Sequence, residues 1–191
     1  MKSIDFSPRN KAFFSLLVLI FIILLSAGCV RQDTSKKDEN QNNFPSMMKI
    51  TSAAFDPGGK IPAKYTCDGE NVSPPLDFSD VPEGTTSLTV IVDDPDAPSK
   101  TWVHWVAWNM DPSKNSMVEN TGHESTGTND FGTIGYKGPC PPSGTHRYFF
   151  KLYALDTTFD LTSVATKETL EKAMEGHILD RAELVGIYER K

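Results

Sequence analysis

From Gly135 to Gly144 the chain carries three glycines and three prolines, and no regular element runs through such a stretch. Proline fixes φ and lacks a donor, while glycine weakens helix and strand alike. The backbone is therefore committed to one shaped loop, and that loop delivers His146, Arg147 and Tyr148 at the head of an alternating segment. A rigid approach ending in an imidazole and a phenol is how a binding site is built. A second approach of this kind lies upstream, where Asp93-Asp94-Pro95-Asp96-Ala97-Pro98 precedes Trp102-Val103-His104-Trp105. Together the two segments suggest one small pocket lined by two imidazoles, carboxylates and aromatic rings.

The apolar segments elsewhere are short and separated by Pro and Gly, which favours strands over helices. Residues 87–92 read as a strand that ends at the acidic Pro-rich loop. Residues 103–110 read as another, and simple alternation puts His104, Val106 and Trp108 on one face. In a third, 147–155, His146, Tyr148, Phe150, Leu152 and Ala154 share one face, with Arg147, Phe149, Lys151 and Tyr153 opposite. Strands apolar on both faces lie between layers, so 103–110 and 147–155 are expected to be central in their sheet. Residues 111–134 are polar and Gly-rich and read as a long surface loop. One helix is expected, capped by Thr166, with Leu170, Ala173 and Met174 at helical spacing and Gly176 as its stop. A short segment around Ile178 and a strand from Ala182 to Tyr188 follow. The expected fold is all-β with a minor helix: an antiparallel β-sandwich with one helix near the C-terminus.

The N-terminus is a separate unit. Lys2, Arg9 and Lys11 precede an uncharged run from Ala12 to Gly28, and small residues lead into Cys29. This is the pattern of an export segment. Cys29 after Ala-Gly is placed for lipidation as the first residue of a mature lipoprotein; the alternative is an uncleaved signal anchor, since the run reaches about 25 Å. Either reading puts the basic end inside and the remainder on the extracytoplasmic side of the cell membrane. Residues 30–48 carry almost no apolar side chains and read as a flexible polar tether. The folded domain is then 49–191.

Charge narrows what that domain can bind. The first 48 residues hold six Lys or Arg and four Asp or Glu, leaving residues 49–191 with a net charge of −8. Nucleic acid is excluded as a partner, because its phosphates require a basic face. Any anion must be held by local donors. In an oxidising compartment Cys67 and Cys140 form an even pair, either bridged or present as two buried thiols.

In order along the chain, Gly59-Lys60-Ile61-Pro62, Tyr65-Thr66-Cys67-Asp68-Gly69, Ser73-Pro74-Pro75-Leu76, Asp94-Pro95-Asp96-Ala97-Pro98 with His104-Trp105, Gly138 to Tyr148, and Gly176-His177-Ile178-Leu179 with Gly186-Ile187-Tyr188 resemble the phosphatidylethanolamine-binding protein family. The likeness is to its bacterial and archaeal branch of Raf-kinase-inhibitor-like proteins. The resemblance covers the whole domain. It implies a sandwich with a small anion-accepting cavity that takes phosphate, acetate or a phosphoethanolamine head group. Carried over by position, the cavity would be lined by Asp94, His104, Pro141, Pro142, His146 and Tyr148, with Asp96 and Trp102 at its edge. The eukaryotic partners of that family do not transfer.

The residues themselves agree with such a cavity. A phosphomonoester takes several fixed donors, and imidazolium and phenol supply them. Asp94 would orient one imidazole or accept a ligand ammonium. Arg147 needs a carboxylate, and Asp96 either pairs with it or joins the pocket. Trp102 is a candidate lip, Trp105 and Trp108 read as core, and His123 and His177 as structural or surface residues. The expected function is a membrane-tethered extracytoplasmic protein that captures a small anion or phospholipid head group. Its protein partner is left open, and no cofactor or metal is called for. Two alternatives are a surface-acting inhibitor of a protease or kinase, and a metal-dependent or Asp-His hydrolase with Ser143 as nucleophile. Against the hydrolase, the chain has no His-x-x-x-His pair and no nucleophile elbow.

Overall fold

A computed structural model describes residues 47–122 and 125–190. The expectations for Cys29, for the export segment, for nearly all of the tether and for His123 lie outside the described residues.

Among the described residues, seven strands form two antiparallel sheets. The smaller contains β1 (Lys49–Thr51), β2 (Leu76–Ser79) and β5 (Ser116–Met117) in the order β1-β2-β5. The larger contains β3 (Ser87–Asp94), β4 (Trp102–Met110), β6 (Thr145–Leu155) and β7 (Ile178–Glu189) in the order β4-β3-β6-β7. Between the sheets lies one apolar layer, to which Ile50, Leu76 and Phe78 contribute from one side and Leu88, Val90, Val92, Trp105, Phe150 and Leu152 from the other. The far face of the larger sheet is covered as well. There Ile91, Val106 and Trp108 pack against Ala165, Leu170 and Met174, the last two from helix α1 (Lys167–Met174). Strands with apolar groups on both faces are thus explained by three layers.

Helix α1 begins where its sequence signals place it, with the Thr166 hydroxyl accepting from Thr169 N–H, and it ends before Gly176, whose φ of +81° suits glycine. Its first residue is tied to the sheet. Asp93 is fully buried, and its Oδ2 receives Lys167 Nζ at 2.5 Å and Lys151 Nζ at 2.8 Å. Asp93 and Asp94 are neighbours on a strand, so they serve opposite faces.

Three expectations about the strands are corrected. Strand β4 is an edge, not a centre. It is buried because the segment after β5 runs along its free side: Ser125 and Lys137 bond Trp108 and His104, and Gly127 and Asp130 donate to the carbonyls of Val106 and Val103. An edge strand left open would offer unpaired backbone groups to other chains, and this strap removes them. Within the expected surface loop, the described residues 111–122 include β5, and residues 125–134 form a cover over β4 that contains the buried Asn129. The last strand is also continuous from Ile178 to Glu189, paired with β6 along its length, because residues 58–61 bond its outer edge through Val185 and Ile187.

The third correction concerns His104. In the β3–β4 register Val92 faces Trp105 but Asp93 faces Val103, so His104 is an extra residue on a β-bulge. The bulge breaks the alternation. Instead of sharing a face with Val106 and Trp108, His104 turns its ring toward Tyr148 on the inner face.

Candidate functional site

Strands β3 and β6 run antiparallel, and the ends carrying Asp94 and His146 meet. Asp94 continues the inner face set by Leu88, Val90 and Val92, and His146 continues that of Tyr148 and Phe150. The bulge adds His104 from β4. All four polar side chains are buried, with exposures of 3% for Asp94, 2% for His104, 6% for His146 and 0% for Tyr148. Period-two alternation on β3 and β6, and the bulge that breaks it on β4, have gathered them at one end of the sandwich.

Each is held. His146 Nδ1 meets Asp94 Oδ2 at 2.7 Å, and Asp94 Oδ1 accepts from the Asp96 backbone N–H at 2.8 Å. With both carboxylate oxygens engaged, Asp94 fixes the orientation of His146 and leaves its Nε2 for another partner. His104 Nδ1 donates to the Lys137 carbonyl at 2.6 Å, and its ring stands edge-on to Tyr148, with centroids 5.2 Å apart. Burial is the main reason the His104 ring is harder to charge than a free imidazole. Burial, and then the Asp94 charge, pushes the Tyr148 phenol upward, so it is a donor at any ordinary pH. The Tyr148 hydroxyl lies near the Asp94 carboxylate and the Cys140 backbone, but it is buried and makes no well-formed hydrogen bond among the described residues. Such a group costs about 1–3 kcal/mol if left unpaired, which makes it the strongest sign that something else belongs there.

The remaining residues singled out in the sequence are placed differently. Asp96 stands outside the cluster, its carboxylate taken by Arg147 through the backbone N–H, Nε and Nη2 at 2.7–2.9 Å. That arrangement holds the Asp96 carboxyl down at about 2. The pair is open to solvent at Arg147, which also lies over Phe149. Trp102 is half-buried and forms an edge contact with Phe131. Pro141 is buried and Pro142 exposed. Cys67 and Cys140 are joined with Cα atoms 5.4 Å apart, which pins the Pro-rich loop to the turn after the 3-10 helix Ala63–Tyr65.

Sequence reasoning overlooked Lys137, Asn71 and Phe131. Lys137 acts through its carbonyl, which no side-chain pattern reveals. Asn71 Oδ1 accepts from Gly138 N–H at 2.8 Å, and a Cβ on Gly138 would collide with the Tyr65 carbonyl. Phe131 packs its ring 5.2 Å from that of His104. Its signal was present in Asn129-Asp130-Phe131-Gly132, a turn sequence enclosing one apolar residue. A cleft of about 550 Å³ lies elsewhere, bordered by Phe78, Met110, Asp111, Lys114 and Met117 among others. Its charged residues are exposed, and buried titratable groups mark a site better than volume does. Among the described residues no cluster of His, Cys, Asp and Glu is arranged to hold a metal ion.

Comparison with known proteins follows the same lines. The model of the family described as phosphatidylethanolamine-binding protein matches residues 51–189. A UPF0098 protein of Methanothermobacter thermautotrophicus is 53% identical over 150 residues, covering 75% of this chain and 99% of the relative. One from Pyrococcus abyssi is 47% identical over 92% of this chain and 98% of its own length. That alignment extends beyond the domain into the N-terminal segment. The crystal structure of a phosphatidylethanolamine-binding protein homolog from Chlamydia trachomatis superposes with a TM-score of 0.74 at 44% identity, covering 77% of this chain and all of the other. Escherichia coli YbcL, described as a member of the mammalian family, gives 0.71 at 32% identity over 75% and 99%.

Proposed function

The chain belongs to the phosphatidylethanolamine-binding protein family, and from that premise we propose that it is a binding protein for a small phosphate-bearing ligand, a free phosphomonoester or a phospholipid head group. The observation that carries this reading is the convergence of Asp94, His104, His146 and Tyr148, with the Tyr148 hydroxyl buried and unpartnered. A phosphoryl group supplies an acceptor for that phenol. In an acidic domain the ligand is selected by these few donors and not by overall field.

Binding is favoured over catalysis because Ser143, the nucleophile a hydrolase would need, lies exposed on the loop and makes no hydrogen bond to His104 or His146 among the described residues. A nucleophile working with a general base needs a hydrogen bond to it. The proposed location is the extracytoplasmic face of the membrane, tethered through the N-terminal segment. It rests on the basic, apolar and small-residue pattern ending at Cys29, and on the extension of the Pyrococcus alignment into that segment.

Thermal unfolding with inorganic phosphate and with phosphoethanolamine tests the ligand class. At a hundredfold excess over Kd, a ligand of the native state adds about 2.7 kcal/mol, so the melting temperature should rise. Tyr148→Phe, which deletes only the unpartnered oxygen, should remove most of that rise while folding normally. An unchanged response in the Tyr148→Phe protein would place the ligand elsewhere.

A further inference from the structure

Where the backbone pairing of two strands ends, side chains must take over if the chain beyond is to keep its place. The ladder between β3 and β6 ends at Asp93 and Phe149, one residue short of Asp94 and three short of His146. Each strand is still held there on its far side, β3 by β4 through Asp94 and Trp102, and β6 by β7 through His146 and Tyr188. What joins the two strands at the site is a closed ring of side-chain contacts.

Asp94 Oδ2 meets His146 Nδ1 at 2.7 Å, and Asp94 Oδ1 accepts from the Asp96 N–H at 2.8 Å. Asp96 in turn accepts from Arg147, with Oδ2 taking the backbone N–H and Nε, both at 2.9 Å, and Oδ1 taking Nη2 at 2.7 Å. One peptide bond then returns the path from Arg147 to His146. Pro95, between the two aspartates, restricts the backbone that links them. Resting on the pocket reading above, we infer that Asp96 and Arg147, outside the pocket, are positioning residues for it: their forked pair holds Asp94 against His146 and so fixes the imidazole that a ligand meets.

The ring has a buried side and an open side. Asp94 and His146 are 3% and 6% exposed, whereas the side chains of Arg147 and Asp96 are 56% and 28% exposed. An ion pair that open adds little to stability, but a bidentate guanidinium–carboxylate pair is strongly directional. The backbone N–H of Arg147 lies beyond the β3 ladder, and the Asp96 carboxylate accepts it in place of a strand carbonyl. The Arg147 contacts hold the Asp96 carboxyl down at about 2, so the fork stays charged across the neutral and mildly acidic range. Contacts joined in a ring support one another. Opening the exposed side therefore frees the Asp94 segment to drift from the imidazole.

Two readouts on the full-length protein test this, one of them free of any ligand. A carboxylate can only accept, so His146 Nδ1 carries the proton of its bond to Asp94. That proton gives a downfield NMR resonance, slow to exchange with water while the bond is intact. In Asp96→Ala, which removes every acceptor of the fork, the resonance should broaden or vanish. Affinity for inorganic phosphate, measured by calorimetry, should fall at least about tenfold, the scale of a hydrogen bond to a charged group. Asp96→Asn keeps an oxygen for the Arg147 backbone N–H and should retain most of both signals. Arg147→Ala, at an exposed position, leaves that backbone bond in place and should show a smaller loss of the same kind. Lys49→Ala, which opens the exposed Lys49–Asp80 pair on the smaller sheet, should change neither. Urea unfolding confirms that each variant is folded. A wild-type resonance in folded Asp96→Ala, or in Arg147→Ala should Asp96→Ala not fold, would overturn the inference and leave the pocket standing. Failure of phosphate to bind the wild-type protein would remove the pocket reading, and the resonance alone would then judge the clamp.

Discussion

His104 is an imidazole set into an apolar wall, and the consequence can be measured without any ligand. Its folded pKa lies below the usual value, chiefly through burial, while in the unfolded chain it titrates near 6.5, as free histidine does. Between those two values the unfolded state binds more protons than the native one, so stability falls as pH drops. The contribution is fully present above about pH 6.5 and lost progressively below it, at no more than about 1.4 kcal/mol per pH unit for one proton. Urea midpoints at about pH 7.5, 6.5 and 5.5 for the wild type and for His104→Gln should show this slope in the first and a shallower one in the second. Identical slopes would mean that the ring is charged freely. The residues of the cluster were legible in the sequence, because titratable side chains beside shaped loops are uncommon without a purpose. Their faces were only partly legible. His146 obeys the alternation of β6, but one extra residue in β4 reverses His104, and nothing in Val103-His104-Trp105 announces a bulge.

The element that shapes the site is the loop between Tyr136 and β6. The Cys67–Cys140 bridge, closing a span of 73 residues, fastens it, as do the Cys67 N–H bond to the Pro139 carbonyl and the Asn71 bond to Gly138. The same loop holds His104 through Lys137. Replacing both cysteines by serine should cost about 2–5 kcal/mol of stability, measurable by urea unfolding. It should also weaken phosphate binding under conditions where the variant is still folded, because the Lys137 carbonyl loses its anchorage. Full-strength binding in a destabilised variant would separate the bridge from the site. A loop rich in Pro and Gly could be recognised as rigid from its residues alone. Where it is nailed down could not, since its partners lie about 70 residues upstream.

For the molecule as a whole, the expected arrangement is a domain held at a membrane by its first residues. Intact-mass measurement of protein extracted from its own membrane should find a chain that begins at Cys29 and carries lipid, and Cys29→Ser should retain residues 1–28. A wild-type chain beginning at Met1 would favour the uncleaved anchor. At this scale the amino-acid order settled a good deal: the sandwich with one late helix, the net negative charge of the domain, and the family. Those properties depend on composition, periodicity and motifs, which are local or cumulative along the chain. Tertiary structure decided the rest. It made β4 an edge under a strap, joined β7 into one strand, gave Asp96 to Arg147 and not to the pocket, and brought Phe131 against His104. Each of these depends on pairing between distant segments, and a single shifted register changes which side chains meet.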